Sequence, residues 1–398
     1  MSDSRVRGVR LNATTRHMVR LGAIATCVVL AASGCADGSG PLPRGQAVFV
    51  TSSEANELLV LDGSSGRVAR RVPLQDAVML GSFSSDSSQL YLAEGLSSTG
   101  PLIALNTTTL QTDWTEAQST LISPRPNRWD GVAVYAFGAL LASRDGTRLY
   151  VYPASRSDTL GIASLDASSR DLIAFGGQPL ALEANGLALV PTGAGVASDA
   201  LLAVGQRITA AAPLADSLFW LDPLTLAVRD SAELVDVPGG APGRLISPVV
   251  APDGHFLYTI NESSLRLDKY DLISRMVVDR APLQTDGLLA VSPDGSAVYL
   301  IQRTDDPAAH ATLSMYDSNL NLLATIALPD IGHSPAHVAD VTTNVDGTRV
   351  FVIAGTGSRI PLIGPPQSGH LVAVDPSTRK VVWDTPLNIW APAQLFVR

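Results

Sequence analysis

Apolar and polar positions along this chain change over in short bursts, and the bursts recur in a fixed order. An apolar run enters a tight turn with Asp and usually Gly, a second run ends in an aromatic and aliphatics, and a third ends in Asp. The clearest copy is Leu288 to Val291, the turn Ser292-Pro293-Asp294-Gly295, then Ala297-Val298-Tyr299-Leu300-Ile301, then Leu313-Ser314-Met315-Tyr316-Asp317. Runs this short, bounded by turn residues, predict β-strands, and no stretch holds a helical period, so the fold class is all-β. Recurrence of the unit implies an array of similar supersecondary pieces.

Third strands ending in Asp, Asn or a near match occur at 58–62, 102–106, 161–166, 218–222, 267–271, 313–317 and 371–375, which makes seven units. Each precedes a polar turn and a fourth strand such as 67–73, 227–234, 275–283 or 380–387. First hairpins turn at Ser85-Asp86, Arg144-Asp145-Gly146, Pro252-Asp253-Gly254, Pro293-Asp294-Gly295 and Val345-Asp346-Gly347. There Pro pre-sets φ, Asp bonds nearby backbone, and Gly takes the left-handed conformation that other residues resist. The unit from Leu180 to Leu234 lacks this turn.

A four-stranded unit cannot bury both of its faces alone, so stacking into a seven-bladed β-propeller is the expected architecture, with an open solenoid as the alternative. The termini favour a ring. The first unit has no strand before Ala47, and the chain continues past the last complete unit through Pro392-Ala393-Gln394-Leu395-Phe396-Val397. This tail resembles the entry to the innermost strand of unit seven, Pro335-Ala336-His337-Val338, with Gln394 standing where His337 does. The tail is therefore expected to supply the missing inner strand of the first unit and close the ring over residues 47–398.

The N-terminus carries an address. Arg5, Arg7, Arg10, Arg16 and Arg20 precede an apolar stretch from Leu21 to Ala32, too short for a permanent membrane span but suited to a secretory signal. Met18 is an alternative start. The stretch ends in Ala32-Ser33-Gly34-Cys35, which resembles the lipobox of bacterial lipoproteins, with Ala32 where Leu is usual. The resemblance implies cleavage after residue 34, lipid attachment at Cys35, and, since Ala36 rather than Asp follows, the outer membrane of a Gram-negative cell. An ordinary signal peptide cut at small residues is the alternative. Residues 35–46 are rich in Gly, Ser and Pro and are expected to form a flexible tether.

Of two cysteines, Cys27 lies in the segment that would be removed, so no disulfide framework or cysteine metal site is expected in the folded part. Loss of residues 1–34 removes five Arg and one Asp and moves the formal charge from −9 to −13. With Lys269 and Lys380 as its two lysines, such an ectodomain is a poor polyanion binder, so nucleic acid is not an expected partner.

The repeats resemble the YVTN family of seven-bladed propellers, through the Ser-Pro-Asp-Gly turn and Tyr-bearing strand of Val291 to Ile301, the corresponding Val250 to Ile260, and the Asp-ended strand and turn of Leu371 to Lys380. The resemblance covers roughly residues 47–398 and implies a secreted or surface-attached propeller, many members having no known activity. It speaks to fold far more than to function.

Within a blade, turns between strands one and two and between three and four share one face of the disc, and all are expected to be short. Links between strands two and three, and between blades, share the other face. There lengths vary, as in 94–101, 153–160, 205–217, 303–312, 355–370 and the blade-crossing stretch 114–131. Loops on a rigid scaffold are where ligand-binding groups usually sit. The candidate binding face therefore includes Arg125, Arg128, Trp129 and Asp130, a cluster of the types common in binding hot spots, and His333 and His337 in the link into blade seven. The alternative for Trp129 is packing beneath its own loop.

No metal or other cofactor is expected. His333 and His337 have a spacing that presents both rings together only on a helix, and the link has no helical pattern. No catalytic set is recognised, since no Gly-x-Ser-x-Gly turn occurs. Trp383 resembles the tryptophan-docking residue of quinone-dependent propellers, but Ala69, Val228, Val277 and Leu323 are read at the matching positions, leaving one copy. The leading expectation is a lipid-anchored, extracytoplasmic binding or scaffold protein of the cell envelope, with an envelope protein or small molecule as ligand. The competing one is a lactonase-like hydrolase, which this architecture resembles, drawing on Glu183, Asn185, Glu262, His337 and Arg128.

Overall fold

The computed structural model describes residues 46–398 apart from 53–54, 95–100, 118–124, 130–131, 137–138, 157–158, 177–179, 191–199, 208–216, 234–244, 303–310, 330–336, 356–368, 388 and 390–391. The described residues contain strands and turns and no helix. Blade one holds β1 (Ala47–Ser52), β2 (Glu57–Asp62) and β3 (Val68–Pro73), and blade two holds β4 (Val78–Phe83), β5 (Gln89–Glu94), β6 (Pro101–Asn106) and β7 (Thr112–Ala117). A separate hairpin follows, β8 (Arg125–Trp129) with β9 (Val132–Ala136). Blade three is β10 (Ala139–Ala142), β11 (Arg148–Arg156), β12 (Thr159–Asp166) and β13 (Leu172–Gly176). Blade four is β14 (Leu180–Val190), β15 (Ala200–Arg207), β16 (Ser217–Leu221) and β17 (Val228–Glu233). Blade five is β18 (Leu245–Val250), β19 (Phe256–Asn261), β20 (Arg266–Asp271) and β21 (Met276–Pro282). Blade six is β22 (Gly287–Val291), β23 (Ala297–Gln302), β24 (Thr312–Asp317) and β25 (Leu322–Ala327). Blade seven is β26 (His337–Thr343), β27 (Val350–Gly355), β28 (His370–Asp375) and β29 (Lys380–Pro386), and β30 (Pro392–Val397) ends the chain.

Strand β30 pairs antiparallel with β1, Val48 opposite Val397, Phe49 opposite Phe396 and Val50 opposite Leu395, and so completes blade one. Each innermost strand contacts the next, from β30 through β4, β10, β14, β18, β22 and β26 back to β30. The result is a closed ring of seven four-stranded blades, as the two termini imply. The open solenoid is excluded.

The third-strand Asp recurs for a local reason. In six blades its side-chain oxygen accepts backbone N–H groups from the turn that follows. Asp62 takes those of Ser64 and Ser65, Asp222 those of Leu224 and Thr225, and Asp375 those of Ser377 and Thr378. Asn106 does the same in blade two with Thr108 and Thr109. In three first hairpins the Asp ties a hydroxyl on each side, Asp86 with Ser84 and Ser88, Asp145 with Ser143 and Thr147, and Asp294 with Ser292 and Ser296.

Between blades the packing is apolar. An aromatic occupies the same row of the second strand in six blades: Phe49, Tyr91, Tyr150, Tyr258, Tyr299 and Phe351. Tyr150 and Tyr258 donate their hydroxyls to carbonyls of the next blade, Pro223 and Ser318, both at 3.1 Å. Burial supplies the bulk of the cohesion, on the order of 1.5–3 kcal/mol for each large apolar side chain enclosed.

The outermost strand of every blade carries a register shift at one row. The extra residue faces outward, so Ile173, Val278, Leu323 and Val382 are exposed. A bulged edge is a poor template for pairing with another sheet. The bulge also corrects the Trp383 comparison. By register, Trp383 lies opposite Ala373 as Trp114 lies opposite Ala104, so two blades carry this tryptophan, and the other rows hold Arg70, Ala174, Asp230, Asp279 and Ala324.

Two further expectations are corrected. Blade four joins its first two strands through residues 191–199, so the short-turn face has one long connection. The expected link 153–160 is mostly ladder, with Ser155 opposite Leu160 and Arg156 opposite Thr159.

Candidate functional site

The links of the variable face place the candidate residues as follows. Arg125, Arg128 and Trp129 belong to β8, whose hairpin is inserted between blades two and three and pairs Arg128 with Ala133 and Trp129 with Val132. The expected loop is thus partly a two-stranded ribbon; of these three residues only the backbone is described. Asp130, His333 and Cys35, with the whole of residues 1–45, lie outside the described residues. His337 opens β26 opposite Gly355, in extended rather than helical backbone.

Among the hydrolase candidates, Glu183 and Asn185 lie on β14, where the register shifts between Leu182 and Leu187. Glu262 lies in the β19–β20 turn of blade five, on the same face as the start of β26. The backbone thus spreads these positions over blades four, five and seven, with Arg128 on the inserted hairpin.

Three polar groupings escaped the sequence analysis. Asp268, 4 % exposed on β20, lies 3.6 Å from the guanidinium Nε of both Arg266 and Arg280. Burial raises its pKa while the two arginines lower it, and burial prevails. Asp268 shares a strand face with Tyr270, which packs on Trp220 and Leu218, so the cluster looks into the boundary between blades four and five. It was legible in principle: the same row of the other third strands holds Leu59, Ile103, Ala163, Phe219, Ser314 and Val372, none charged. The three side chains carry one net positive charge, unusual in an acidic chain.

The second is His370, whose Nδ1 lies 2.8 Å from Asp384 Oδ1 across β28 and β29. Such a carboxylate fixes the tautomer and orientation of an imidazole. No group of three or more His, Cys, Asp or Glu suited to a metal occurs among the described residues.

The third is on the innermost strands. Strands β26 and β30 carry a matching register shift against their neighbours, and their pairings fix the match between tail and β26. Leu395 pairs with Val50 as Val341 pairs with Val352, so Gln394 corresponds to Asp340, not to His337. Asp340 Oδ2 accepts the N–H of Leu395 at 2.8 Å, and its Oδ1 accepts the N–H of Val341. Burial pushes the Asp340 carboxyl up to about 7, against the pull of these two N–H groups.

No protein-family model matches the chain, and neither does any curated protein. Solved structures do match it. It is similar to a hypothetical selenium-binding protein from Sulfolobus tokodaii, with a TM-score of 0.60 at 12% identity over 91% of this chain and 95% of that one. A protein from Lactobacillus plantarum gives a TM-score of 0.57 at 12% identity, covering 89% of this chain and 100% of the other. A dihydro-heme d1 dehydrogenase, NirN, gives 0.52 at 15% identity over 89% of this chain and 77% of that one. The chain is a seven-bladed β-propeller. Likeness at these identities concerns the fold alone, and the neighbours differ in function or have none assigned.

Proposed function

We propose that this propeller is an extracytoplasmic protein held to a bacterial membrane by lipid on Cys35, and that it acts as a binding or scaffold protein of the cell envelope. The observation that supports binding is the contrast between the two faces of the disc. On one face nearly every connection is a tight turn tied down by its own Asp; the other carries most of the long connections and an inserted hairpin. A rigid disc with one irregular rim suits recognition, since the scaffold holds the loops and the loops vary at little cost. The binding surface in this reading comprises Arg125, Arg128, Trp129 and Asp130 with His333 and His337, and its ligand is an envelope protein or small molecule. The anchor rests on the basic, then apolar, leader that ends in Ala32-Ser33-Gly34-Cys35. Two or three acyl chains at Cys35 would hold the protein firmly, where a single chain would not.

Growth with labelled palmitate tests the anchor: the wild type takes up label and Cys35→Ala does not. A photo-crosslinker at Trp129, compared with one at Asp145 on the opposite face, tests the surface. Cross-links in intact cells should form from the hairpin position and not from Asp145, and the reverse pattern rejects the assignment. Hydrolysis of a lactone by the chain, lost in His337→Ala, would replace binding by the hydrolase.

A further inference from the structure

The ring is closed by β30, which pairs with β1 and packs on β26 of blade seven, and the boundary between β26 and β30 differs chemically from others. At three other boundaries neutral hydroxyls bridge neighbouring innermost strands. Ser82 Oγ accepts the N–H of Ala142 at 3.1 Å, Ser247 donates to the carbonyl of Gly287 at 3.1 Å, and Thr343 donates to that of Val291 at 3.4 Å. Between β26 and β30 the bridging group is the carboxyl of Asp340 on the N–H of Leu395. We propose that Asp340 makes closure of the ring proton-dependent: the seam between blades seven and one is tightest with Asp340 protonated and loosens as it ionises.

Against burial, the described surroundings offer a negative charge two backbone N–H groups and no counter-ion. The elements packed on β26 are β22, β23, β27 and β30. Strands β22, β27 and β30 contain no ionisable side chain, and β23 contributes only Tyr299, whose hydroxyl burial pushes up to about 12. The nearest ionisable groups along these segments are His337 at the head of β26, Asp286 just before β22 and Arg398 just after β30. Arg398 donates instead to the hydroxyls of Thr107 and Thr108 in blade two. Among the described residues an ionised Asp340 is thus served by two backbone N–H groups and by no cation, and part of its surface faces solvent at the unpaired inner edge of β26. Gln394, its counterpart on β30, has its side-chain oxygen buried without a hydrogen-bond partner. The seam therefore holds an unserved amide acceptor on β30 and, on β26, an acid that is better off keeping its proton.

The sign follows from linkage. A carboxyl whose folded pKa is raised contributes stability that is complete below its unfolded pKa and is lost as pH rises towards the folded value, here about 7. Opening of the seam should grow about tenfold per pH unit from pH 5 towards 7 and level off above. The test is amide exchange of Leu395 to Val397 in the full chain between pH 5 and 8, corrected for the intrinsic exchange rate, with Val298 to Ile301 as internal comparison. The wild type should show the rise, and Asp340→Asn, which keeps an acceptor for Leu395, should be flat. Should that variant fail to fold, the carboxyl carbon of Asp340 in the wild type can be titrated directly by NMR. A midpoint below pH 5, or the same pH profile in wild type and variant, would overturn the proposal.

Discussion

Trp383, on the outer strand of blade seven, lies against Gly66 in the last turn of blade one, so closely that a Cβ at Gly66 would come within 2.5 Å of the indole Cε3. Thr385 Oγ1 would be met at the same distance, and Gly66 has φ of +72°. The indole also packs on Phe351 of its own blade, 5.9 Å between centroids. Gly66→Ala should therefore cost about 2–4 kcal/mol, from a left-handed backbone and an overpacked boundary together. Gly146 provides the comparison: its φ is +70°, but the nearest atom is 3.6 Å away. Gly146→Ala should cost only the backbone part, roughly 1–2 kcal/mol. Urea unfolding of both variants measures the difference, and equal costs would mean that Trp383 yields.

Removal of residues 391–398 should prevent stable folding. Leu395 is buried between β1 and blade seven, and Phe396 meets Phe83 of blade two edge-on at 6.0 Å between centroids. Without β30, the buried edge of β1 loses its ladder partner and two neighbouring blades lose a packing face. At about 1.5–3 kcal/mol for a fully enclosed Leu, plus the ladder bonds, the loss is a large share of the ~5–15 kcal/mol that holds a domain together. Circular dichroism and thermal melting decide it: a truncated chain melting like the parent would show that the ring tolerates an open seam.

The elements that could be read from the sequence are those in which a side chain dictates its own surroundings. Asp62, Asp222 and Asp375 end third strands because their carboxylates cap the next turn, and this leaves a mark at every repeat. The missing strand before Ala47 and the surplus one after Pro392 pointed to ring closure for a similar reason, since a sheet edge needs a partner. Bulges leave no such mark. One extra residue in each outer strand moved the counterparts of Trp383 from Ala69 and Val228 to Arg70 and Asp230, with Trp114 the matching tryptophan of blade two. The ladder partners of β26 and β30 likewise set Gln394 against Asp340, where the Pro-Ala pairs of the sequence had matched it to His337. Asp268 was visible as the lone charge in its row, but only once the rows were aligned.

The tyrosine bridges between blades can be removed one atom at a time. Tyr150 and Tyr258 occupy the row in which Phe49 and Phe351 stand in other blades, so phenylalanine fits there. Tyr150→Phe and Tyr258→Phe should each cost about 1 kcal/mol, the worth of a hydrogen bond whose carbonyl partner is left unserved. Urea denaturation at constant m-value reads this out. No loss in either variant would mean that water takes over at the turn carbonyls.

Acid should weaken the protein through the turn carboxylates, at the opposite end of the pH scale from Asp340. Hydrogen bonds from Ser168 and the Ser169 N–H hold Asp166 at about 2, and those from Ser84 and Ser88 hold Asp86 at about 2. Asp222 is held at about 2 chiefly by the Thr225 N–H. A carboxylate with a lowered folded pKa contributes stability that is present above its unfolded value, near 4, and is lost as pH falls towards 2. Asn106 already shows that an amide can cap the same turn. Asp166→Asn should therefore fold at neutral pH yet show a shallower fall in stability between pH 4 and 2 than the wild type. Urea midpoints across that interval check it. Parallel curves for the two proteins would mean that the turn carboxylates are not what acid attacks.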